Sequence, residues 1–253
     1  MASATGVPHG LSHQASEDEP LLGRPGDVAQ EDDQPIYHNL YTGTAIIAQA
    51  GIVLLVASIW AGIFLHKLIL FSAHPILNSV GVLLVAEGIL ILQPTHTAAQ
   101  KRQGTLWHFG LVNAGIDLLI AGLILVVYNK VSTKHAHFES PHAILGLITY
   151  IVIAIQAFVG FTQYFVPKLY GSVDKAKSIY KWHRISGYVV LALLLATVAA
   201  ATQVGYNKNV LNIKLWAILL AAVLILVGII PRIKKQKLGL VKADPQASGS
   251  FGN

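Results

Sequence analysis

Long apolar stretches alternate with short polar breaks along most of this chain. Six of the stretches are long enough to cross about 30 Å of hydrocarbon as helices, because an α-helix rises about 1.5 Å per residue. The pattern predicts helices at roughly 43–65, 73–93, 106–128, 141–165, 182–204 and 212–231. We therefore predict an all-α membrane protein, built as a six-transmembrane helix bundle.

Two polar ends flank the apolar middle of the chain. Residues 1–40 are polar and acidic, and we expect them to form a disordered cytosolic tail. Residues 41–235 contain all six apolar stretches and form the predicted transmembrane domain. Residues 236–253 are basic and polar, and we expect a second cytosolic tail there.

The composition supports a membrane protein and excludes several kinds of metal site. Hydrophobic residues make up 54% of the 253 residues and charged residues 12%, against about 25% charged residues in soluble domains. The absence of cysteine excludes disulfides, iron–sulfur clusters and thiolate metal sites. The net charge of +6 arises mainly in loops and at the basic end, so we expect contact with lipid and no binding of nucleic acid.

Basic residues are distributed unequally between the two sides of the predicted bundle. The side that carries both tails holds 13 of the 18 lysines and arginines. The other side holds the remaining five, which are Lys67, Lys130, Lys134, Lys208 and Lys214. Because cytosolic loops carry the excess of positive charge, both termini of this multi-pass protein are expected in the cytosol. In the first tail, residues 17–22 (EDEPLL) match an acidic dileucine sorting signal, which favours an endomembrane or vacuolar location.

Two predicted hairpins repeat one pattern of histidines. Residues 72–77 (SAHPIL) match residues 140–145 (SPHAIL), and the offset from His74 to His142 is 142 − 74 = 68. A Trp-His pair also recurs, and the offset from His108 to His183 is 183 − 108 = 75. The second and third helices therefore form one copy of a hairpin, and the fourth and fifth form the other.

The predicted topology sorts these four histidines into two pairs. His74 and His142 share the non-cytosolic depth, and His108 and His183 share the cytosolic depth. A single histidine near a helix end is usually an interfacial residue, but four in repeat-related positions favour a shared ligand. A zinc ion needs its ligands within a few Å of one point, whereas the two pairs lie near opposite faces.

Two facing imidazoles suit the iron of a haem, which is the usual cofactor in the core of a helix bundle. Each pair would bind one haem b, so we predict a central four-helix core that holds two haems. Ligation by two histidines leaves the iron no open position, which favours electron transfer over oxygen binding.

The same residues resemble the motifs of the eukaryotic cytochrome b561 family over roughly residues 40–235. The ligand histidines of that family fall at His74, His108, His142 and His183. The other family-like positions are Pro75, Gln156, Gly160, Pro167, Ser186 and Gly187. The short first tail and the run EGILILQP are similar to the subgroup of stand-alone cytochrome b561 domain proteins.

The resemblance implies a transmembrane oxidoreductase of the ascorbate-dependent ferrireductase or monodehydroascorbate reductase type. A cytosolic ascorbate-like donor would supply electrons, and ferric iron or monodehydroascorbate on the other side would accept them. Related proteins form homodimers, so a homodimer is expected. Arg102 and Lys177 each precede a cytosolic histidine by six residues, where related proteins have basic residues that contact ascorbate. The positive-inside bias alone would also explain both charges.

Two other functions are compatible with the sequence. One is a quinol-linked cytochrome b subunit, which would exchange electrons with a membrane quinone. The other is a haem-free transporter or sensor that uses the same bundle as a binding scaffold. His135 and His137, in a non-cytosolic loop, could also bind a ferric ion, although solvated loop histidines are the commoner case.

Four polar residues inside the predicted helices carry further hypotheses. Glu87 and Asp117 lie in apolar helices, where carboxylates usually face the bundle interior and serve a function. Asn78 and Asn113 each lie about one turn from the ligand histidine of their helix. Each could hydrogen-bond an imidazole or a haem propionate, or make an ordinary bond between helices.

Overall fold

The structure is a computed structural model that describes residues 28–238, apart from the side chains of residues 236 and 237. Its long helices are α1 (Ala45–Phe64), α2 (Ala73–Leu92), α3 (Ala98–Ser132), α4 (Pro141–Phe165), α5 (Val173–Ala201) and α6 (Leu215–Ile229). Each belongs to a helical segment long and apolar enough to cross a membrane. Residues 28–238 contain no β-strand. The prediction of an all-α bundle with six membrane-spanning helices is confirmed.

Helices α3 and α5 begin about two turns earlier than the apolar pattern predicts. A side-chain cap starts each of them. Thr97 Oγ1 accepts a hydrogen bond from the backbone N–H of Gln100 at 3.2 Å, and Ser172 Oγ accepts one from Lys175 at 3.1 Å. The pattern of apolar residues locates the part of a helix that lies in hydrocarbon, whereas capping decides where the helix itself begins.

The two predicted hairpins exist as packed pairs, because α2 packs mainly against α3 and α4 against α5. Glycines allow the close approach of α2 and α3. A Cβ atom on Gly81 would lie 3.0 Å from the carbonyl oxygen of Gly115, and one on Gly115 would lie 2.9 Å from that of Gly81. Contacts between the two hairpins are sparse and come chiefly from α2 and α5.

Helices α1 and α6 form a third pair beside the hairpins, and α1 also packs on α2. A Cβ atom on Gly51 would lie 2.7 Å from the carbonyl oxygen of Ala221, so glycine is needed for this contact as well. At the end of α6, the guanidinium of Arg232 is buried and donates from Nη2 to the carbonyl oxygen of Asn39 at 2.8 Å. It also lies 3.3 Å from the carbonyl oxygen of Leu90, which ties α6 to the end of α2.

Packed structure begins before residue 41, within the predicted first tail. A short 3-10 helix, Ile36–Leu40, lies against α2. Its Asn39 side chain is fully buried and donates to the carbonyl oxygen of Ile91 at 2.8 Å and to Oε1 of Gln30 at 2.9 Å. The last carbonyl groups of a helix have no partner within the helix, and Asn39 supplies one for α2. Residues 1–27, with the dileucine motif, and residues 239–253 lie outside the described residues.

Candidate functional site

The fold repeats the positions of the four histidines within their helices. His74 and His142 are each the second residue of a helix, in α2 and α4. His108 and His183 are each the eleventh residue of a helix, in α3 and α5. The two hairpins therefore carry their histidines at the same positions within their helices.

The imidazoles of His74 and His142 face each other across the two hairpins. Their ring centroids are 6.2 Å apart and their planes are nearly perpendicular, at 85°. An imidazole nitrogen binds a metal at about 2.0–2.1 Å, so two rings on opposite sides of one metal place their centroids about 6 Å apart. The observed separation thus suits a metal held between the two rings, and the sparse contact between the hairpins suits a flat group around that metal.

Backbone carbonyl groups orient both rings of this pair. His74 Nδ1 lies 2.9 Å from the carbonyl oxygen of Gly122, and His142 Nδ1 lies 2.9 Å from that of Thr197. A carbonyl oxygen only accepts, so each Nδ1 carries the hydrogen and each Nε2 keeps its lone pair. Metal-ligating histidines show this arrangement, in which the second nitrogen donates to a carbonyl or carboxylate.

The carbonyl acceptors follow the internal repeat. Gly122 and Thr197 are separated by 197 − 122 = 75 residues, the same offset that separates His108 and His183. His74 and His142 are therefore each held by the equivalent residue of the partner helix in its hairpin.

The second pair, His108 and His183, lies in the other half of the bundle. His108 Nδ1 lies 2.8 Å from the carbonyl oxygen of Gly88, which leaves Nε2 available in the same way. His183 is the residue of α5 that corresponds to His108 of α3. Its Nδ1 is buried and makes no hydrogen bond with the described residues.

Residues of α4 and α5 hold the backbone of His183. Gln156 Nε2 donates to the carbonyl oxygen of His183 at 2.6 Å, and Gln156 Oε1 accepts from Ser186 Oγ at 2.6 Å. A Cβ atom on Gly160 would lie 2.7 Å from Cε1 of the His183 ring, so glycine makes room for the imidazole. Three of the family-like positions named from the sequence thus meet around one histidine.

Asn78 supports the backbone at His74 more strongly than it supports the imidazole. Its Nδ2 lies 2.7 Å from the carbonyl oxygen of His74 and 3.3 Å from Nδ1 of the ring. Tyr150 of α4 lies over this contact, with its hydroxyl 3.1 Å from Asn78 Oδ1 and 2.6 Å from the carbonyl oxygen of Leu119. Tyr150 therefore joins the two hairpins between the histidine pairs.

The other polar residues of the spans do not contact the four imidazoles through any hydrogen bond found in residues 28–238. Asn113 is exposed and donates to the carbonyl oxygen of Phe109, one turn back in its own helix, at 2.7 Å. Glu87 is half-buried and accepts from Gln49 Nε2 of α1 at 2.8 Å. Asp117 is exposed on α3 and does not face the interior of the described bundle.

The two basic residues proposed to contact a donor lie on exposed parts of α3 and α5. Arg102 is exposed near the beginning of α3. Lys177 is also exposed, and its Nζ lies 4.0 Å from Asp174 Oδ1. Contact of either residue with an anion stays a prediction.

The loop histidines lie apart from the paired ones. His135 and His137 are exposed, and His135 Nδ1 lies 2.8 Å from Oγ1 of Thr133. Among residues 28–238, no three histidine, aspartate or glutamate side chains come together in a group that could hold a metal ion. Binding of ferric iron by these two residues stays a prediction.

Sequence reasoning missed the residues that orient the histidines. The carbonyl groups of Gly88, Gly122 and Thr197 could not be singled out, because every residue carries a carbonyl group. Only the repeat contained a usable signal, since adding the 75-residue offset to the acceptor of His74 locates the acceptor of His142. Tyr150 was also missed.

Comparison with known proteins points to one family. The sequence model described as eukaryotic cytochrome b561 matches residues 73–212. The chain is 27% identical to the transmembrane ascorbate ferrireductase 2 of Arabidopsis thaliana over 128 residues, which are 51% of this chain and 54% of that protein. It is 29% identical to a probable ascorbate-specific transmembrane electron transporter of Oryza sativa subsp. japonica over 135 residues, 52% of this chain and 56% of that protein.

An animal relative is similar over a slightly longer region. A lysosomal membrane ascorbate-dependent ferrireductase of Mus musculus is 24% identical over 154 residues, which are 59% of this chain and 61% of that protein. The chain thus spans just over half of the length of the curated relatives that it matches.

Proposed function

The chain belongs to the eukaryotic cytochrome b561 family, and on that premise we propose that it carries electrons across a membrane. The donor is an ascorbate-like anion in the cytosol, and the acceptor on the opposite side is ferric iron or monodehydroascorbate. The observation that carries the proposal is the 6.2 Å separation of the His74 and His142 rings, one from each hairpin. The names of the relatives, which are ascorbate ferrireductases and an ascorbate-specific electron transporter, support the choice of donor and acceptor.

The donor set of each histidine pair fits a b-type haem. His74 and His142 would hold one haem, and His108 and His183 would hold the other. A haem with two imidazole ligands exchanges single electrons and offers no open position to oxygen.

The chain contributes orientation and insulation. The carbonyl groups of Gly122 and Thr197 hold the Nδ1 hydrogens, which fixes the direction of each ring and reserves Nε2 for a ligand. Helices α1 and α6 carry none of the four histidines and cover the hairpins beside α2, which keeps water from that side of the core. A dry, rigid setting is what a protein supplies to a redox cofactor.

The exposed rim at the start of α3 and α5 would receive the donor. Arg102 and Lys177 offer charge-assisted hydrogen bonds to an anion. The contact of Lys177 with Asp174 is long, at 4.0 Å, and exposed. Such surface pairs contribute little stability, so an anionic donor can replace the carboxylate of Asp174 at little cost.

The direction of transfer follows from the proposed orientation. With both termini in the cytosol, electrons leave the cytosolic side, and a potential that is negative inside favours this by about 2.3 kcal/mol per 100 mV for one electron. An endomembrane location and a homodimer complete the proposal, and a lysosomal relative supports the location.

Rapid-mixing spectroscopy on purified protein in lipid nanodiscs tests the donor. Ascorbate should reduce the haems, which is followed as a change in their absorption bands. A quinol analogue should reduce them much more slowly. The double substitution Arg102→Gln with Lys177→Gln should slow the reduction of the haems by ascorbate but not their reduction by a neutral reductant. The matched control, Lys130→Gln with Lys134→Gln, removes the same charge from the other side and should change neither rate. Fast reduction by the quinol alone would instead identify a quinol-linked subunit.

A further inference from the structure

A buried positive charge lies at the end of α6, on the side proposed to be cytosolic. Arg232 is 3% exposed, and its Nη2 lies 2.8 Å from the carbonyl oxygen of Asn39 and 3.3 Å from that of Leu90. Its Nε and Nη1 are also buried, and they make no hydrogen bond with the described residues. Within residues 28–238, two carbonyl groups are therefore the only hydrogen-bond partners of this guanidinium.

The charge of Arg232 is not balanced by a carboxylate within residues 28–238, because none of them forms an ion pair with it. Glu87, the carboxylate of α2, accepts a hydrogen bond from Gln49 of α1 instead. Leu90 lies in the last turn of α2, where the helix dipole supplies about half a negative charge and makes the burial of a cation tolerable. This partial charge does not cancel a whole one, so a net positive charge remains inside the bundle.

Packing alone does not require a charge at this position. Removing a charged group from water is costly, and apolar side chains of similar volume often replace buried ionic groups without loss of stability. The amide of a glutamine could also donate to a carbonyl oxygen. The property that distinguishes arginine from these alternatives is its permanent charge.

Arg232 and His108 both bond to the last turns of α2. His108 Nδ1 lies 2.8 Å from the carbonyl oxygen of Gly88, and Arg232 reaches that of Leu90, two residues later. Two residues correspond to about 3 Å along a helix axis, so the imidazole and the guanidinium meet α2 at nearly the same depth. Gly88 and Leu90 are both buried, so the helix between the two groups excludes water that would screen the charge.

The helix that carries His183 is tied to the same place. Gln93 Nε2 donates to the hydroxyl oxygen of Tyr188 and to the carbonyl oxygen of Ile229, each at 3.1 Å. Tyr188 follows His183 by five residues in α5, and Ile229 precedes Arg232 by three. The end of α6 is thus bonded to α2, which orients His108, and through Gln93 it is joined to α5, which carries His183.

We propose that Arg232 raises the reduction potential of the cytosolic haem site formed by His108 and His183. The inference rests on the proposed function and adds a residue that tunes its first step. Uptake of one electron lowers the charge at the ligated iron by one unit, and a fixed positive charge nearby favours that uptake. The cytosolic donor loses this electron and becomes its one-electron oxidised form, and no atom is transferred. An ascorbate-like donor is a mild reductant, so it needs an acceptor that is easily reduced.

Potentiometric titration of the haem-loaded protein tests this role without a donor or an acceptor. The protein is placed in nanodiscs of phosphatidylcholine, which has no net charge, and the component that His183→Ala removes identifies the cytosolic haem. The neutral variants Arg232→Gln and Arg232→Met should both lower the midpoint potential of this component and leave that of the other haem unchanged. Arg232→Lys keeps the charge and should keep the original potential.

Lys235→Gln is the matched control, because Lys235 is an exposed cation three residues after Arg232. Water screens an exposed charge, so we expect this variant to shift the potential much less than the neutral variants do. Unchanged potentials in Arg232→Gln and Arg232→Met overturn the proposal. A shift in Arg232→Lys equal to that of the neutral variants also overturns it, since lost packing would then be the cause.

A second variant leaves Arg232 in place and so tests the same field without removing a buried side chain. Gln93→Glu adds a carboxylate beside the end of α6 in a side chain of the same size. It should lower the potential of the cytosolic haem, because it offsets the charge of Arg232. The control Gln203→Glu adds the same charge at an exposed position near the other end of α5 and should leave this potential unchanged. An unchanged potential in Gln93→Glu contradicts the proposal.

This inference and the proposed donor can fail separately. The titration uses an electrode and mediators, so its result does not depend on ascorbate. A failure of ascorbate as the donor would appear only in the rapid-mixing experiment, whereas a failure of Arg232 to tune the haem would appear only in the midpoint potentials.

Discussion

Each imidazole of the pair His74 and His142, which we predict on the non-cytosolic side, is fixed by one backbone carbonyl of the neighbouring helix. A rigid backbone acceptor sets the ring direction more firmly than a flexible side chain does. The cytosolic pair is less symmetric, because His108 has such an acceptor whereas His183 is enclosed by Gly160 and held through its backbone by Gln156. The environments of the two pairs thus differ, although both pairs consist of histidines.

A methyl group at Gly160 should disturb one pair alone. Gly160→Ala places a Cβ atom 2.7 Å from Cε1 of His183, and overpacking of this kind costs about 1–3 kcal/mol. We expect a lower melting temperature and a shifted spectrum of the cytosolic haem, with an unchanged non-cytosolic haem. The control is Gly110→Ala, since within residues 28–238 no atom outside its own stretch of helix lies within 4 Å of the added Cβ. If the control lowers the melting temperature equally, the contact with His183 is not the cause.

Removal of a single imidazole should affect only its own pair. We expect His142→Ala to lose the non-cytosolic haem signal and retain the cytosolic one, and His183→Ala to show the reverse. Redox titration followed by absorption spectroscopy resolves the two components. Either substitution that leaves both components intact would show that its ligand assignment is wrong.

The approach of His74 to His142 could be predicted at this scale, because histidine is rare in apolar helices and the repeat is visible in the sequence. The carbonyl groups that accept hydrogen bonds from these histidines could not be predicted, because a carbonyl group carries no sequence signature. Asn78 shows the same limit. Its spacing from His74 allowed a bond to the imidazole, but the carbonyl oxygen of His74 lies closer, at 2.7 Å against 3.3 Å.

The hairpin is the packing unit at the scale of elements. Within a hairpin the helices touch through glycines or hydrogen-bonded side chains, while contact between hairpins is sparse. Gln156 and Ser186 connect α4 to α5 with two hydrogen bonds of 2.6 Å beside His183. Loss of this connection should therefore loosen one hairpin without changing the other.

Gln156→Leu tests the connection with a side chain of similar size. It removes the hydrogen bonds of Gln156 with the carbonyl oxygen of His183 and with Ser186 Oγ, and a typical hydrogen bond contributes about 0.5–1.5 kcal/mol. We expect a lower melting temperature together with faster loss of the cytosolic haem. Gln203→Leu is the control, because the side chain of Gln203 is exposed and donates a hydrogen bond to Thr202 Oγ1, far from His183 at the other end of α5. Equal effects in both variants would argue against a specific role of Gln156.

The number of helices could be predicted because six apolar stretches are unmistakable at this length. The starts of α3 and α5 could not, since the residues before the apolar stretch are polar and only the caps at Thr97 and Ser172 mark the helix ends. The packed segment before α1 was missed for a similar reason. Asn39 is polar in the sequence, but it is buried because it completes the hydrogen bonding of α2.

At the scale of the whole molecule, the distribution of lysine and arginine predicts which side of the bundle faces the cytosol. Tags on both termini should be digested only when protease reaches the cytosolic side of sealed vesicles. A tag inserted after His135 should be digested only from the opposite side. If protease on the cytosolic side fails to digest a terminal tag, the orientation is the opposite of the predicted one. The proposed direction of electron flow would then also be wrong.

The most direct test of the central claim is the number and kind of haems in the purified chain. Haem is extracted and counted against protein, and the oxidised sample is measured by electron paramagnetic resonance. Two histidine pairs predict about two haems b per chain, both low-spin with two imidazole ligands. A well-folded preparation without haem, or one whose signals require a single histidine ligand, would contradict the account.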